Sequence, residues 1–241
     1  MIPADWCIPQ GVNIAFTDRH GGISKAPYDS LNLGDHVGDS PFAVQQNRQL
    51  LAQQLALPAE PQWLTQVHGI DVVDVDVDTR RHADGSFTQQ AKQVLAIMTA
   101  DCLPVLLCDA SGKQLAALHA GWRGLCHGVL EAGVAKFTAG SELYAYLGPA
   151  IGPNAFEVGA EVRDAFINNA PAAQNCFVAV AGTSGAKYLA NLVALAKLRL
   201  QAAGVQHIYA LEHCTFTLAT AYFSYRREST TGRMASLIWR D

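Results

Sequence analysis

The chain has 241 residues, half of them apolar, enough to bury a sizeable core in one domain over 1–241. A formal charge of −4 with 16% charged residues provides no basic footprint for nucleic acid and no basic helix for a membrane surface. No run approaches the ~18 apolar residues of a membrane span, the first residues lack signal-peptide character, and Cys7, Cys102, Cys108, Cys126, Cys176 and Cys214 show no pairing rhythm. A cytoplasmic protein with reduced thiols is expected.

Residues 12–17 read as a first strand, followed by the polar, glycine-rich Asp18-Arg-His-Gly-Gly-Ile-Ser24 and a long loop through Asn32-Leu-Gly-Asp-His-Val-Gly38. Loops longer than about a dozen residues are commonly functional, and this one carries an arginine and two histidines. Ser40-Pro41 offers an N-cap and a first-turn proline for a helix to about residue 56. Runs at 62–67, 71–77, 94–99, 103–108 and 114–118 look like consecutive strands, with Asp109-Ala-Ser-Gly112 as a turn. A helix is expected from 121 to about 137, then a strand over 143–147 that ends in the stiff Gly148-Pro-Ala-Ile-Gly-Pro153. Helices near 159–168 and 187–203 and strands near 205–210, 221–225 and 234–239 complete the pattern. Together they indicate an α/β (α+β) layered sandwich of mixed β-sheets flanked by helices.

Three short segments carry the chemistry: Thr65-Gln-Val-His68-Gly69, Ala100-Asp-Cys102-Leu-Pro104 and Leu118-His119-Ala-Gly-Trp-Arg-Gly124. Each places a ligand type at the edge of an apolar, strand-like run. Spacings of 34 and 17 residues are no finger pattern. Small residues beside His68 and His119 do permit close backbone approach. Asp101 lies in an otherwise apolar stretch, where a buried carboxylate needs a partner. Two imidazoles and one thiolate form a three-donor zinc set with a fourth position left for water or substrate.

These segments, with Thr17-Asp-Arg-His-Gly-Gly, Tyr28-Asp-Ser-Leu-Asn-Leu-Gly34, Gly148-Pro-Ala-Ile-Gly-Pro153 and Phe223-Ser-Tyr-Arg-Arg-Glu…Thr-Gly-Arg-Met-Ala235, resemble the YfiH/YlmD family over essentially the whole chain. This is the laccase-domain group formerly called multicopper polyphenol oxidoreductases. The resemblance implies a layered sandwich related to cysteine hydrolases, and a metal held by His68, Cys102 and His119. It further implies phosphorolysis of adenosine, inosine or methylthioadenosine, deamination of adenosine, and a link of bacterial relatives to peptidoglycan-precursor editing. Two departures are visible. Glu228 stands where many relatives have aspartate, and Asn154-Ala155 replaces a cysteine-containing pair.

The oxidase name fits the residues poorly. A multicopper laccase ligates its coppers with His-x-His pairs and a His-Cys-His run, and the sequence has neither. A Cys/His₂ set could still take one copper adventitiously. Zinc nucleoside chemistry, on purine nucleosides and phosphate as small-molecule partners, fits better. Asp101 is the candidate proton shuttle for deamination, with a structural role orienting His68 or His119 as its alternative. Any deaminase here would be convergent, since the H-x-E…P-C-x-x-C signature is missing. Phosphorolysis needs cationic donors for phosphate, for which Arg19, Arg123, Arg226 and Arg227 are candidates, while His20 and Asn32 are candidate pocket residues. The same trio permits a metal-free cysteine hydrolase with Cys102 as nucleophile, His119 as base and His68 as orienting partner. A non-catalytic binding or editing factor is a further alternative. The oligomeric state is not legible.

Overall fold

The computed structural model describes residues 2–181 and 186–241. Its centre is the segment where the apolar runs are densest. Strands β4 (Val94–Thr99), β5 (Leu103–Asp109) and β6 (Leu115–Ala120) are buried along their whole length. Such continuous apolar runs suit strands covered on both faces. β5 lies in the middle of a six-stranded mixed sheet, between β6 and β7 (Leu143–Leu147), with antiparallel pairing on both sides. Beyond β6 come β3 (Gly85–Thr88) and then β2 (Val72–Asp74), and beyond β7 comes β11 (His207–Ala210). The two outermost pairings are parallel.

Alternation along β5 divides the core. Leu106 and Cys108 face a second sheet, made of β1 (Val12–Phe16), β12 (Met234–Arg240) and β4 in antiparallel order, with Ile14, Leu95, Ile97 and Ile238 between. Val105 and Leu107 face the helices α2 (Trp122–His127), α3 (Val129–Val134), α4 (Ala160–Asn169) and α5 (Leu192–Ala202). The outer side of the smaller sheet is covered by α1 (Pro41–Gln54) and by Leu31 and Leu33 of the long loop. A third sheet, β8 (Glu157–Gly159), β10 (Lys187–Ala190) and β9 (Phe177–Ala179), lies beside α4 and a 3-10 turn at Pro171–Cys176. The result is the expected mixed α/β sandwich. No helix among the described residues is long and apolar enough to cross a membrane.

Several local expectations are corrected. The 62–67 run makes only single bridges, Gln62 to Leu95 and Thr65 to His82, rather than a strand. Residues 75–77 leave the sheet in a turn with Val77 exposed. The helix expected from 121 to 137 is two short ones, because Gly128 takes a left-handed conformation (φ 108°) between them. Helix 187–203 begins only after Asn191, whose side chain caps the Ala194 N–H. The residues before it form β10. Residues 221–225 are a turn held by Arg227 rather than a strand.

Candidate metal centre

The site forms where three chain reversals meet at one end of the large sheet. His119 is the penultimate residue of β6, Cys102 lies in the β4–β5 connection, and His68 is on the loop before β2. Their ligand atoms lie within 4.8 Å of one another. The Cys102 Sγ is 3.8 Å from His68 Nε2, and the two imidazoles meet edge to face with ring centres 4.8 Å apart. Gly121 is required by this crowding, since a Cβ there would come 2.8 Å from His68 Cδ2 and 3.2 Å from Cys102 Sγ. His68 (φ 61°) and Asp101 (φ 96°) both hold left-handed backbone. Such strain costs about 1–3 kcal/mol per residue and collects at functional sites.

Behind the trio is Asp84, fully buried just before β3. Its Oδ1 is 2.8 Å from His119 Nδ1 and accepts the His68 N–H at 2.9 Å. Its Oδ2 accepts the N–H groups of Gly69 at 2.6 Å and Val67 at 3.2 Å. One carboxylate thus fixes both the QVHG loop and the His119 ring. With Nδ1 committed to Asp84, the Nε2 lone pair of His119 is the one available to a ligand. Burial pushes the Asp84 carboxyl up, but the His119 contact and the backbone donors more than offset it and hold it below the ordinary range. Burial likewise pushes the Cys102 thiol up, while His119 and then His68 bring it down to about 6. Burial lowers His119, but Cys102 and Asp84 raise it to about 9. Each group thus favours the charged form of the other. With both groups deprotonated, two imidazoles and a thiolate within this span suit one tetrahedral ion.

Asp101 bonds neither histidine. Its Oδ1 accepts the Thr215 hydroxyl at 2.7 Å and its Oδ2 accepts the Arg226 N–H at 2.7 Å, so it anchors two loops next to Cys102. The hold on the histidines belongs to Asp84 instead. Arg19 and Arg227 are likewise part of the scaffold. Arg19 donates to the carbonyls of Asp29 and Ala219, and Arg227 to those of Thr215, Phe216 and Tyr222. Asn32 is fully buried, with its amide bonded to Gly34, Asp39 and the Arg233 N–H, so it does not line an open pocket. His20 and Arg123 are exposed, and the Arg123 guanidinium lies 4.5 Å from the Trp122 ring. Asp84, Arg233 and His213 were missed. Asp84 stands in the mixed stretch from Arg80 to Gln90, where no motif marks its role. The 148–153 turn supplies Ile151 and Gly152 to a cleft of about 440 Å³ that also contains Lys197, His213 and Cys214.

Fold and site define a mixed α/β protein with one His₂Cys cluster, among the described residues, able to hold a single metal ion. Comparison with known proteins gives the family. Residues 13–241 match the family described as multi-copper polyphenol oxidoreductase laccase, and the chain belongs to it. A Shigella flexneri protein named purine nucleoside phosphorylase YfiH is 49% identical over 242 residues, covering 99% of this chain and 98% of its own. A Pseudomonas aeruginosa protein also named purine nucleoside phosphorylase is 49% identical over 236 residues, covering 98% and 96%. The crystal structure of a Neisseria meningitidis protein matches with a TM-score of 0.92 at 47% identity, covering 99% of this chain and 98% of that one.

Proposed function

We propose that this chain is a zinc-dependent purine nucleoside phosphorylase that cleaves adenosine, inosine or methylthioadenosine to the free base and the (methylthio)ribose 1-phosphate, and that also deaminates adenosine. The observation that carries this reading is the Asp84-supported His68–Cys102–His119 cluster. It lies in a chain alike over its full length to relatives named purine nucleoside phosphorylase.

In phosphorolysis a phosphate oxygen bonds to ribose C1′ as the C1′–N9 bond breaks. The electron pair goes to the base, which takes up a proton. In deamination water displaces the 6-amino group as ammonia. Zinc bound by His68, Cys102 and His119 would supply Lewis acidity and one open coordination position. With the Nδ1–H of His119 directed at Asp84, Nε2 would be the atom that takes the metal. Asp101 keeps the Thr215 and Arg226 segments fixed against the Cys102 loop, which preserves the orientation of whatever binds between them.

A second reading is favoured by a specific contact. Asp84, His119 and Cys102 follow one another as orienter, base and thiol, the order of a cysteine hydrolase, with Asp84 in the orienting position first considered for His68. The experiment that separates the two measures metal content and turnover together. The proposal expects about one zinc per chain, base release from the nucleosides, loss of turnover with the zinc, and protection of Cys102 from iodoacetamide by zinc. Full turnover in metal-free protein that iodoacetamide abolishes would instead establish the cysteine reading.

A further inference from the structure

Arg233, in the Thr231-Gly-Arg-Met234 segment, differs from the arginines already described. Arg19 and Arg227 are bonded to backbone carbonyls, and Arg226 donates to the Glu157 carbonyl. Arg233 uses only Nη1 in this way, donating to the Thr231 and Gly232 carbonyls at 3.0 Å each. Its Nε and Nη2 have no acceptor among the described residues, although the side chain is half-buried. A guanidinium with one free edge has the shape that binds an oxyanion through two parallel hydrogen bonds.

The position of that edge is fixed. The Arg233 N–H donates to Asn32 Oδ1 at 2.9 Å and its carbonyl accepts the Leu33 N–H at 3.1 Å. The stem packs on Gly34, where a Cβ would approach Arg233 Cγ to 2.8 Å. Met234, the next residue, pairs with Thr99 at the end of β4, from which the chain runs through Ala100 and Asp101 to Cys102. Electrostatics agree. Burial lowers the Arg233 pKa, and the charges that raise it are Cys102 first and Asp101 next. Asn32, expected as a substrate contact, is therefore a positioning residue for Arg233.

We propose that Arg233 is the phosphate-binding residue of the Cys102 site, engaging an inorganic phosphate oxyanion through Nε and Nη2. Its place in a reaction rests on the phosphorolytic reading of the same site. The phosphate binding itself does not.

The test uses zinc-loaded full-length protein, with inorganic phosphate as the probe. Arg233→Met keeps the stem on Gly34 and removes the fork, Arg233→Lys keeps a charge without the fork, and Arg80→Ala alters a surface arginine paired with Asp78. Phosphate binding by calorimetry and KM values for phosphate and nucleoside are measured for each. Arg233→Met is expected to weaken phosphate binding and raise its KM by roughly 10- to 100-fold, as loss of a charge-assisted bidentate contact would. The nucleoside KM should stay within about twofold, Arg233→Lys should recover part of the loss, and Arg80→Ala should match the parent. Equal phosphate affinity in a folded Arg233→Met protein overturns the assignment, as does a parent protein that binds no phosphate. Should Arg233→Met fail to fold, parity between Arg233→Lys and the parent overturns it. Phosphate binding that is lost in Arg233→Met, from a parent without phosphorolysis, upholds the assignment and refutes the phosphorolytic reading.

Discussion

Asp84→Asn is the sharpest perturbation of the site that leaves its volume unchanged. The carboxylate faces His119 Nδ1 and the His68 N–H with one oxygen, and the Gly69 and Val67 N–H groups with the other. An amide must turn its NH₂ toward one of these pairs. Facing Gly69 and Val67, it opposes donors with donors. Facing His119, it forces Nδ1 to accept and moves the ring proton to Nε2, where it blocks ligation. At about 1–3 kcal/mol for donors left without an acceptor, and roughly 2–4 °C per kcal/mol for a chain of this size, Tm should fall by about 2–12 °C. Zinc affinity should fall by about 10- to 100-fold, the usual cost of losing a ligand's supporting carboxylate. Differential scanning calorimetry and competition with a chromophoric chelator measure the two effects. An Asp84→Asn protein with the parent Tm and zinc affinity would refute the argument that this carboxylate sets the His119 tautomer.

The metal-free protein should show Cys102 thiolate absorbance titrating near 6 rather than at the ordinary 9.0. The lowered thiol stabilises the fold at high pH and loses that contribution as pH falls through about 6. The raised His119 stabilises at low pH and loses its contribution as pH rises through about 9, so the charged pair persists between the two. A titration centred at 8.5–9 by absorbance or by alkylation rate, about that of a free thiol, would contradict the pairing. Gly121→Ala, at a φ of −62° that alanine tolerates, should weaken zinc binding by on the order of tenfold, because its Cβ meets His68 and Cys102. Unchanged affinity would mean that the trio is looser than described. Leu118→Ala, in the fully buried face of β6 against the helices, should cost about 2–5 kcal/mol in urea unfolding while leaving zinc binding in place.

Much of this organisation was legible because apolar runs have only a few solutions. The segments at 94–99, 103–108 and 143–147 are too apolar to be anything but covered strands, and Ser40-Pro41 announces its helix. The clustering of His68, Cys102 and His119 was legible from donor type and small neighbours. What failed depended on distant partners. Whether Tyr222 and Phe223 join a strand or a turn is decided by Arg227 capturing the Tyr222 carbonyl, not by their own hydrophobicity. A single Gly128 in left-handed conformation divides a helix that periodicity would continue. The carbonyl contacts of Arg19 and Arg227 were illegible for the same reason. A guanidinium in a motif looks alike whether it meets three carbonyls, as Arg227 does, or keeps an edge free, as Arg233 does. Asp84 escaped because its role is defined by four donors from two segments that only the β2–β3 and β3–β6 pairings bring together.

The most direct test is chromatographic product analysis of the zinc-loaded protein and its Cys102→Ala variant with adenosine, each with and without phosphate. Phosphorolysis at this site predicts adenine and ribose 1-phosphate from the parent only when phosphate is present, and neither from the variant. Absence of phosphate-dependent adenine from the parent, or its undiminished release by Cys102→Ala, would contradict it.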